Sequence, residues 1–364
     1  MILSMNYYVV ETDKRKLIPK TAGVKARADV ENIFKQNGFK TIEVPCLIEG
    51  RESKSGFGKL KAHYDVFKLW KSALKNMTKG DWLYIQFPLV EHTILFSILI
   101  KNLEKKGIHT SIVIHDVEAI RFSLRNDVPY LQKFRMKCEE VSAFKNSSKV
   151  IVHNKRMKAF MHEKLKINRD RMVSLEIFDY LIEKYDSHLL DERSLNRKSP
   201  VIIAGALSRH KAGYIYKLPE NCQFNLYGIN FEKEKASGNV NYVGAFDPEE
   251  LIYKLEGSFG LVWDGDSSDT CTGIYGEYLK INNPHKTSMY LAAGIPVIIW
   301  EEAALADFIR KNQCGITIRS ISDIKKLVDN MSDEYYAMLK NNATKIGEKL
   351  RSGYFLESAM KQNI

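Results

Sequence analysis

The sequence predicts an α/β protein of two domains, each a parallel sheet covered by helices on both faces. Short apolar runs rich in β-branched and aromatic residues alternate with longer segments of helical periodicity along nearly the whole chain. The alternation breaks once, over the charged and weakly periodic stretch Tyr180 to Ser199, and then resumes. At 364 residues the chain is long enough to bury two cores.

In the first half, Tyr7 to Val10 reads as a strand and Gly23 to Gln36 as a helix stopped at Gly38. Thr41 to Pro45 is a second strand. The glycine- and lysine-rich segment Glu49 to Lys61 reads as a loop before a helix carrying Tyr64, Phe67, Leu69, Trp70 and Leu74. Trp82 to Phe87, Ser111 to Ile114, Lys149 to Val152 and Val173 to Ile177 are further strands. Helices run through Glu104, over Tyr130 to Phe144, and onward from Asn154, a side chain suited to an N-cap.

The second half repeats the pattern, with strands at Pro200 to Ala204, Gln223 to Tyr227, Phe259 to Trp263 and Ile295 to Trp300. Asp247-Pro248-Glu249-Glu250 joins an N-cap, a first-turn proline and a capping-box glutamate, predicting a helix that ends at Gly257. Asp264 to Tyr278 reads as a loop. Ala303 to Lys311 and Ile321 to Asn330 read as helices, and everything after Asp333 as a helical tail. The expected boundaries are 1–182, 183–332 and 333–364.

Composition bounds the partners. Lys+Arg outnumber Asp+Glu by 55 to 44, a net charge of +11 that suits an anionic partner. The lysines are spread along the chain, which favours a diffuse field over a nucleic-acid patch, and no recognition helix or stacking motif accompanies them. Five scattered cysteines without a C-x-x-C pair indicate neither a zinc site nor a disulfide framework, and a reducing cytosol is the simplest setting. No secretory signal is recognisable at Met1 to Met5, and the longest apolar run, Thr93 to Ile100, is too short to cross a bilayer. Neither a dinucleotide-binding G-x-G-x-x-G nor a P-loop occurs in strand–helix context.

The chemistry concentrates after Tyr275. Asn283-Pro284 reads as an N-cap and first-turn proline, followed by a short helix stopped by Gly294. The amides and dipole of a helix start favour an anion, and His285, Lys286, Thr287 and Ser288 share that first turn. The segment reads as a seat for a diphosphate, or as an ordinary capped helix with a solvated lysine. Ser208, Arg209 and Lys211 follow the first strand of the second half and offer cations for phosphate. Asp264-Gly265-Asp266 has the spacing of a metal-binding carboxylate pair, but the basic helix start already supplies charge, and no metal is expected. His115-Asp116, just past a strand, is the expected general base, with Glu118 and Asp179 as fallbacks. Gln86-Phe87-Pro88, at another strand end, suits acceptor contact or a plain turn.

Phe259 to Gly265 and Tyr275 to Val297, together with Ile114 to Val117, Tyr242 to Gly244 and Asp247 to Leu251, resemble bacterial galactofuranosyltransferases. Related bacterial enzymes glucosylate adhesins, extending GlcNAc on serine or threonine. The resemblance implies a GT-B glycosyltransferase: two Rossmann-like domains facing a central cleft, with a C-terminal helix crossing back to the first. It places Asn283, His285, Lys286 and Thr287 where a UDP diphosphate would lie, Arg209 and Lys211 on a supporting loop, and Tyr227-Gly228 near the nucleoside.

The resulting expectation is an inverting transfer of galactofuranose from UDP-galactofuranose to a glycan acceptor, lipid-linked in the natural case, without a cofactor. UDP-glucose transfer to an adhesin glycan is the alternative, and a non-catalytic UDP-binding scaffold the other class. The expected setting is cytoplasmic, peripheral on the inner face of the membrane, and compatible with a homo-oligomer.

Overall fold

The computed structural model describes residues 4–13, 22–46, 56–123, 125, 127–191, 196–235 and 237–362. The chain divides into two compact units. One comprises Met1–Pro19, Arg27–Leu175 and Glu357–Ile364; the other comprises Lys20–Ala26 and Glu176–Leu356.

The first unit holds β1 (Asn6–Asp13), β2 (Lys40–Cys46), β3 (Trp82–Phe87), β4 (His109–Ile114), β5 (Lys149–Val152) and β6 (Met172–Ser174). They form one parallel sheet in the order β2-β1-β3-β4-β5-β6. Its middle strands are apolar without alternation because both faces are covered. Leu83, Phe87, Ile112, Val113, Ile114 and Val150 through Val152 are fully buried. The helix Ala22–Gln36 docks through Val30, Ile33 and Phe34, and the Phe34 ring centroid lies 5.3 Å from that of Tyr84. Arg27 and Glu31 ride on the same helix, one turn apart.

The second unit holds β7 (Val201–Ala206), β8 (Phe224–Ile229), β9 (Val240–Gly244), β10 (Gly260–Val262), β11 (Val297–Trp300) and β12 (Gly315–Ile318), ordered β12-β11-β10-β7-β8-β9. All its pairings are parallel. Counted within the unit and read from β9 this is 3-2-1-4-5-6, the doubly wound order of dinucleotide-binding folds. Strand order reverses between β7 and β10, where open sheets of this kind take ligands at the carboxyl ends of their strands. The helix His285–Ala292 is locked over this point. Its Tyr290 hydroxyl accepts from Ala204 N at 2.7 Å. A Cβ on Gly260 would stand 2.2 Å from the Tyr290 ring, so only glycine permits this contact. From its other side, the helix Asp333–Arg351 approaches so closely that a Cβ on Gly347 would lie 2.3 Å from Leu291 O.

Several expectations need correction. The join falls at Leu175–Glu176, ahead of the expected 182/183, because the next residues are built into the second unit. Glu176 O accepts from Asn283 Nδ2 at 3.0 Å and Phe178 O from Ser288 Oγ at 2.6 Å. The Asp179 carboxylate takes the amides of Phe355 and Leu356, so it serves the frame and not the chemistry. Most of the tail stays with the second unit, where Tyr336 Oη donates to Ser258 O at 2.8 Å; only Glu357 onward groups with the first.

The expected loop Glu49 to Lys61 is helical from Gly56, in a helix Gly56–Ala73; its part before that lies outside the described residues. Strands β9 and β12 went unforeseen, as did the helices Glu118–Ser123 and Gly273–Leu279.

Candidate active site

In the second unit the loops leaving β7 and β10 clasp each other. Gly265 N donates to Lys211 O at 2.8 Å, and Tyr214 N to Gly265 O at 3.1 Å. A Cβ on Gly213 would meet the Asp266 Cβ at 2.9 Å, so the glycine makes room for that approach. The first turn of the His285 helix joins this structure through Lys286. Its Nζ donates to Trp263 O at 3.0 Å and to Asp264 Oδ1 at 2.9 Å, with both side chains largely buried. The lysine foreseen as a phosphate ligand is thus held by the carboxyl end of β10. An ammonium has three N–H donors, so one remains for a third acceptor.

The Asp264/Asp266 pair divides its duties. Asp264 balances Lys286, while Asp266 accepts from Thr272 Oγ1 at 2.6 Å, a bond that, with the charge of Lys217, holds its carboxyl below the usual range. Among the described residues no group of three or more His, Cys, Asp or Glu side chains is placed to hold a metal ion.

The other expected donor-site residues separate into those the fold gathers and those it does not. Asn283 is not the N-cap. Pro284 occupies that position, and the Asn283 amide is engaged with Glu176 O. Thr287 is buried with its Oγ1 enclosed and unpartnered, as are Tyr214 Oη and His285 Nε2. Enclosed polar atoms without protein partners are uncommon, and these three lie in this unit on the segments that follow β7 and β10. Burial, helped by the nearby Lys25 charge, pushes His285 down to about 4. It is therefore neutral at pH 7 and offers a hydrogen bond where Lys286 offers charge.

Arg209 is exposed at the start of the one-turn helix Arg209–Ala212, with its guanidinium 5.8 Å from the Tyr216 ring centroid. Lys211 Nζ lies 5.6 Å from that of Tyr275. Tyr227 is a core residue, 1% exposed, whose hydroxyl accepts from Glu256 N at 3.0 Å. It supports the sheet and presents no face to a nucleoside.

In the first unit the reversal lies between β1 and β3. Beside it is a cavity of about 70 Å³ lined by Val9, Glu11, Arg27, Glu31, Ile85, Gln86 and Val90. Glu11, on β1, accepts from Val90 N at 2.9 Å and Glu91 N at 3.2 Å. Burial pushes its carboxyl up to about 7 despite those bonds and the Arg27 charge. Burial also raises Glu31 and lowers Arg27 from their ordinary ranges.

The expected base pair stands on the loop after β4, and each member is already engaged. His115 Nε2 meets Gln86 Oε1 at 2.7 Å, and Gln86 Nε2 donates to Glu31 Oε1 at 3.1 Å. Asp116 accepts from Val117 N at 2.8 Å and pairs with Arg121 at 3.2 Å. Glu118 is paired with Arg135. Sequence reasoning named Gln86 but missed Glu11, Arg27 and Glu31. The available signals were an acidic residue at the carboxyl end of a strand and an i, i+4 Arg/Glu pair on the following helix.

Comparison with known proteins follows the same division of the chain. The glucosyltransferase 3-like N-terminal domain matches residues 6–177, and the glucosyltransferase 3-like C-terminal domain matches residues 201–363. The chain belongs to the glucosyltransferase 3-like family. It is 41% identical to beta-1,6-galactofuranosyltransferase WbbI of Escherichia coli (strain K12) over 219 residues. That alignment spans 59% of this chain and 63% of that relative, less than two thirds of its length. With Glucosyltransferase 3 of Streptococcus gordonii it shares 24% identity over 348 residues, 92% of this chain and 97% of the relative. The catalytic domain of starch synthase IV from Arabidopsis thaliana superposes with a TM-score of 0.60 over 99% of both chains at 10% identity, a likeness of fold. With the two six-stranded parallel sheets, it establishes the GT-B architecture. The family member described here is a glycosyltransferase.

Proposed function

We propose that this glycosyltransferase moves galactofuranose from UDP-galactofuranose to a glycan acceptor with inversion, in the synthesis of a bacterial surface polysaccharide. The observation that supports it most is Lys286, tied to Asp264 at the strand reversal of the second unit and sharing a helix turn with the enclosed Thr287 hydroxyl. In this reading the turn His285 to Thr287 and the Arg209–Lys211 loop receive the diphosphate. Charge that develops on departing UDP is met by Lys286, Arg209 and the helix start, with no metal ion in the scheme. The acceptor hydroxyl attacks the anomeric carbon from the face opposite UDP. The donor assignment follows the 41% identity to a galactofuranosyltransferase.

A second reading, transfer of glucose from UDP-glucose to an adhesin-linked GlcNAc, is favoured by the alignment with Glucosyltransferase 3 over 92% of the chain. UDP release measured side by side with the two donors separates these readings, and a protein that binds UDP but turns over neither is a scaffold. Addition of EDTA should leave the rate unchanged; loss of activity that Mg²⁺ restores overturns the metal-free scheme.

A lipid-linked acceptor and a place on an anionic membrane fit the helix Gly56–Ala73. It exposes Phe57, Leu60 and Tyr64 along one stripe, with Lys59, Lys61 and Lys68 also exposed. Among the described residues no helix is long and apolar enough to cross a membrane. Sedimentation with phosphatidylglycerol vesicles but not with phosphatidylcholine vesicles is the expected result, and equal binding to both, or binding to neither, overturns it.

A further inference from the structure

We propose that Glu11 is the group that takes the proton from the acceptor hydroxyl, with His115 acting on it only as a positioning residue. This rests on the glycosyl-transfer reading above and deepens it. As the acceptor oxygen forms its bond to the anomeric carbon, the bond from that carbon to the UDP oxygen breaks. The electron pair leaves with UDP, and the hydroxyl proton passes to a Glu11 carboxylate oxygen.

Location, orientation and surroundings converge on this residue. Glu11 lies near the carboxyl end of β1, at the strand reversal of the first sheet, and lines the cavity there. Two consecutive backbone amides, Val90 N and Glu91 N, fix its carboxylate so that it need not reorganise when the proton arrives. The titratable and charged groups around it are Arg27 and Glu31 from the helix Ala22–Gln36, and Glu91 and His92 from the segment after β3. Arg27, whose guanidinium donates to Pro88 O, couples electrostatically to both carboxyls and stabilises either when ionised. A base that titrates close to the working pH is both available and strong enough to accept a proton, and burial brings Glu11 into that range.

The groups expected to do this work are otherwise occupied. A His115 ring that donates from Nε2 to Gln86 Oε1 turns the Gln86 amide so that its NH₂ faces Glu31. The chain His115–Gln86–Glu31 thereby orients one wall of the cavity that Glu11 shares. Asp116 is spent on Val117 N and Arg121.

The test uses the full-length protein, with UDP-galactofuranose and UDP-glucose as donors, water as the acceptor, and UDP release followed from pH 5 to 9. The wild type should show kcat rising through an apparent pKa near 7, as Glu11 ionises. Glu11→Gln should lower kcat by about 10²–10⁴-fold and abolish that limb, while UDP affinity by calorimetry stays within about twofold of wild type. His115→Ala should retain the limb at a rate reduced by roughly tenfold or less. Should Glu11→Gln not fold, Glu11→Asp keeps the question open to measurement: it should be slow yet still show the limb. A Glu11→Gln variant that binds UDP and keeps both rate and limb refutes the assignment, as does a limb removed by His115→Ala alone. A wild type that releases no UDP from either donor, even with a GlcNAc glycoside or a galactoside added as acceptor, sinks the transfer reading, and the role of Glu11 with it.

Discussion

Lys286 offers the sharpest separation of catalytic from structural work, because its ammonium is committed to Asp264 before any ligand arrives. Lys286→Met keeps the bulk of the stem and removes the charge. Asp264, 7% exposed at its side chain, then loses its balancing cation. Breaking one half of a buried pair typically costs about 3–5 kcal/mol; with Lys286 at 14% exposure, the lower end applies. At roughly 2–4 °C per kcal/mol for a unit of this size, the melting temperature should fall by about 6–12 °C. Loss of a donor to the developing charge on UDP should separately lower turnover by about 10²–10³-fold. The control is Asp264→Asn combined with Lys286→Met, which removes both charges together. Urea unfolding should show stability largely recovered in the double variant, with a coupling of about 0.5–3 kcal/mol. UDP-release assays should show turnover still depressed by two orders of magnitude or more. If the double variant regains wild-type turnover, Lys286 serves only to neutralise Asp264, and the donor-site scheme fails.

The remaining predictions address the frame around that pair. Tyr227→Phe should destabilise the protein by about 1–3 kcal/mol, since Glu256 N loses its acceptor, while calorimetric UDP affinity is unchanged; a large loss of affinity would restore Tyr227 to the nucleoside pocket. His285, depressed in the fold to about 4 from an ordinary 6.5, contributes stability that is complete above pH 6.5 and drains away as the pH falls toward 4. Allowing for its partial exposure, roughly 2 kcal/mol of acid sensitivity in that window should vanish in His285→Gln, measured by urea unfolding at pH 7, 5.5 and 4; an unchanged pH slope would show that the ring is not held neutral. Gly260→Ala should drive a methyl into the Tyr290 ring and cost several kcal/mol or prevent folding, because overpacking alone takes about 1–3 kcal/mol; a soluble variant with a wild-type melting curve contradicts the packing described.

Much of the fold was legible because its buried strands carry no alternation. Trp82 to Phe87 and Lys149 to Val152 coincide with β3 and β5 residue for residue. The Asn154 and Asp247 caps form as read, accepting from Met157 N at 2.9 Å and Glu249 N at 3.2 Å. The two unforeseen strands, β9 and β12, lie at opposite edges of the second sheet. There one side is unpaired, burial is incomplete, and Val240 to Gly244 carries too few apolar residues to stand out. The Gly273–Leu279 helix was hidden by its glycines. Gly276 is needed there because a Cβ would press on the Cys271 carbonyl carbon at 2.6 Å. Low helix propensity and tight packing select the same residue in that turn.

The two candidate sites differ in legibility for a related reason. Both occupy the reversal point of a doubly wound sheet, so topology alone gives them equal standing. In the second unit the candidate groups His285, Lys286 and Thr287 are adjacent in sequence, since a helix start gathers amides and side chains suited to an anion within one turn. A contiguous stretch can be read. In the first unit the cavity draws Glu11 from a strand, Arg27 and Glu31 from a helix, and Gln86 and Val90 from the end of another strand and the segment after it. None of these is unusual in its own neighbourhood. What marks them is that a half-buried carboxyl feels a guanidinium charge while two amides hold it in place, and each of those conditions exists only after folding. His115-Asp116 drew attention because two chemically versatile residues stood side by side, yet adjacency in sequence points consecutive side chains in different directions. One turned to Gln86 and the other to Arg121. A proton acceptor in this fold is therefore better sought among carboxyls that line a cavity at the strand reversal than by residue type along the chain, which is the ground on which Glu11 is proposed.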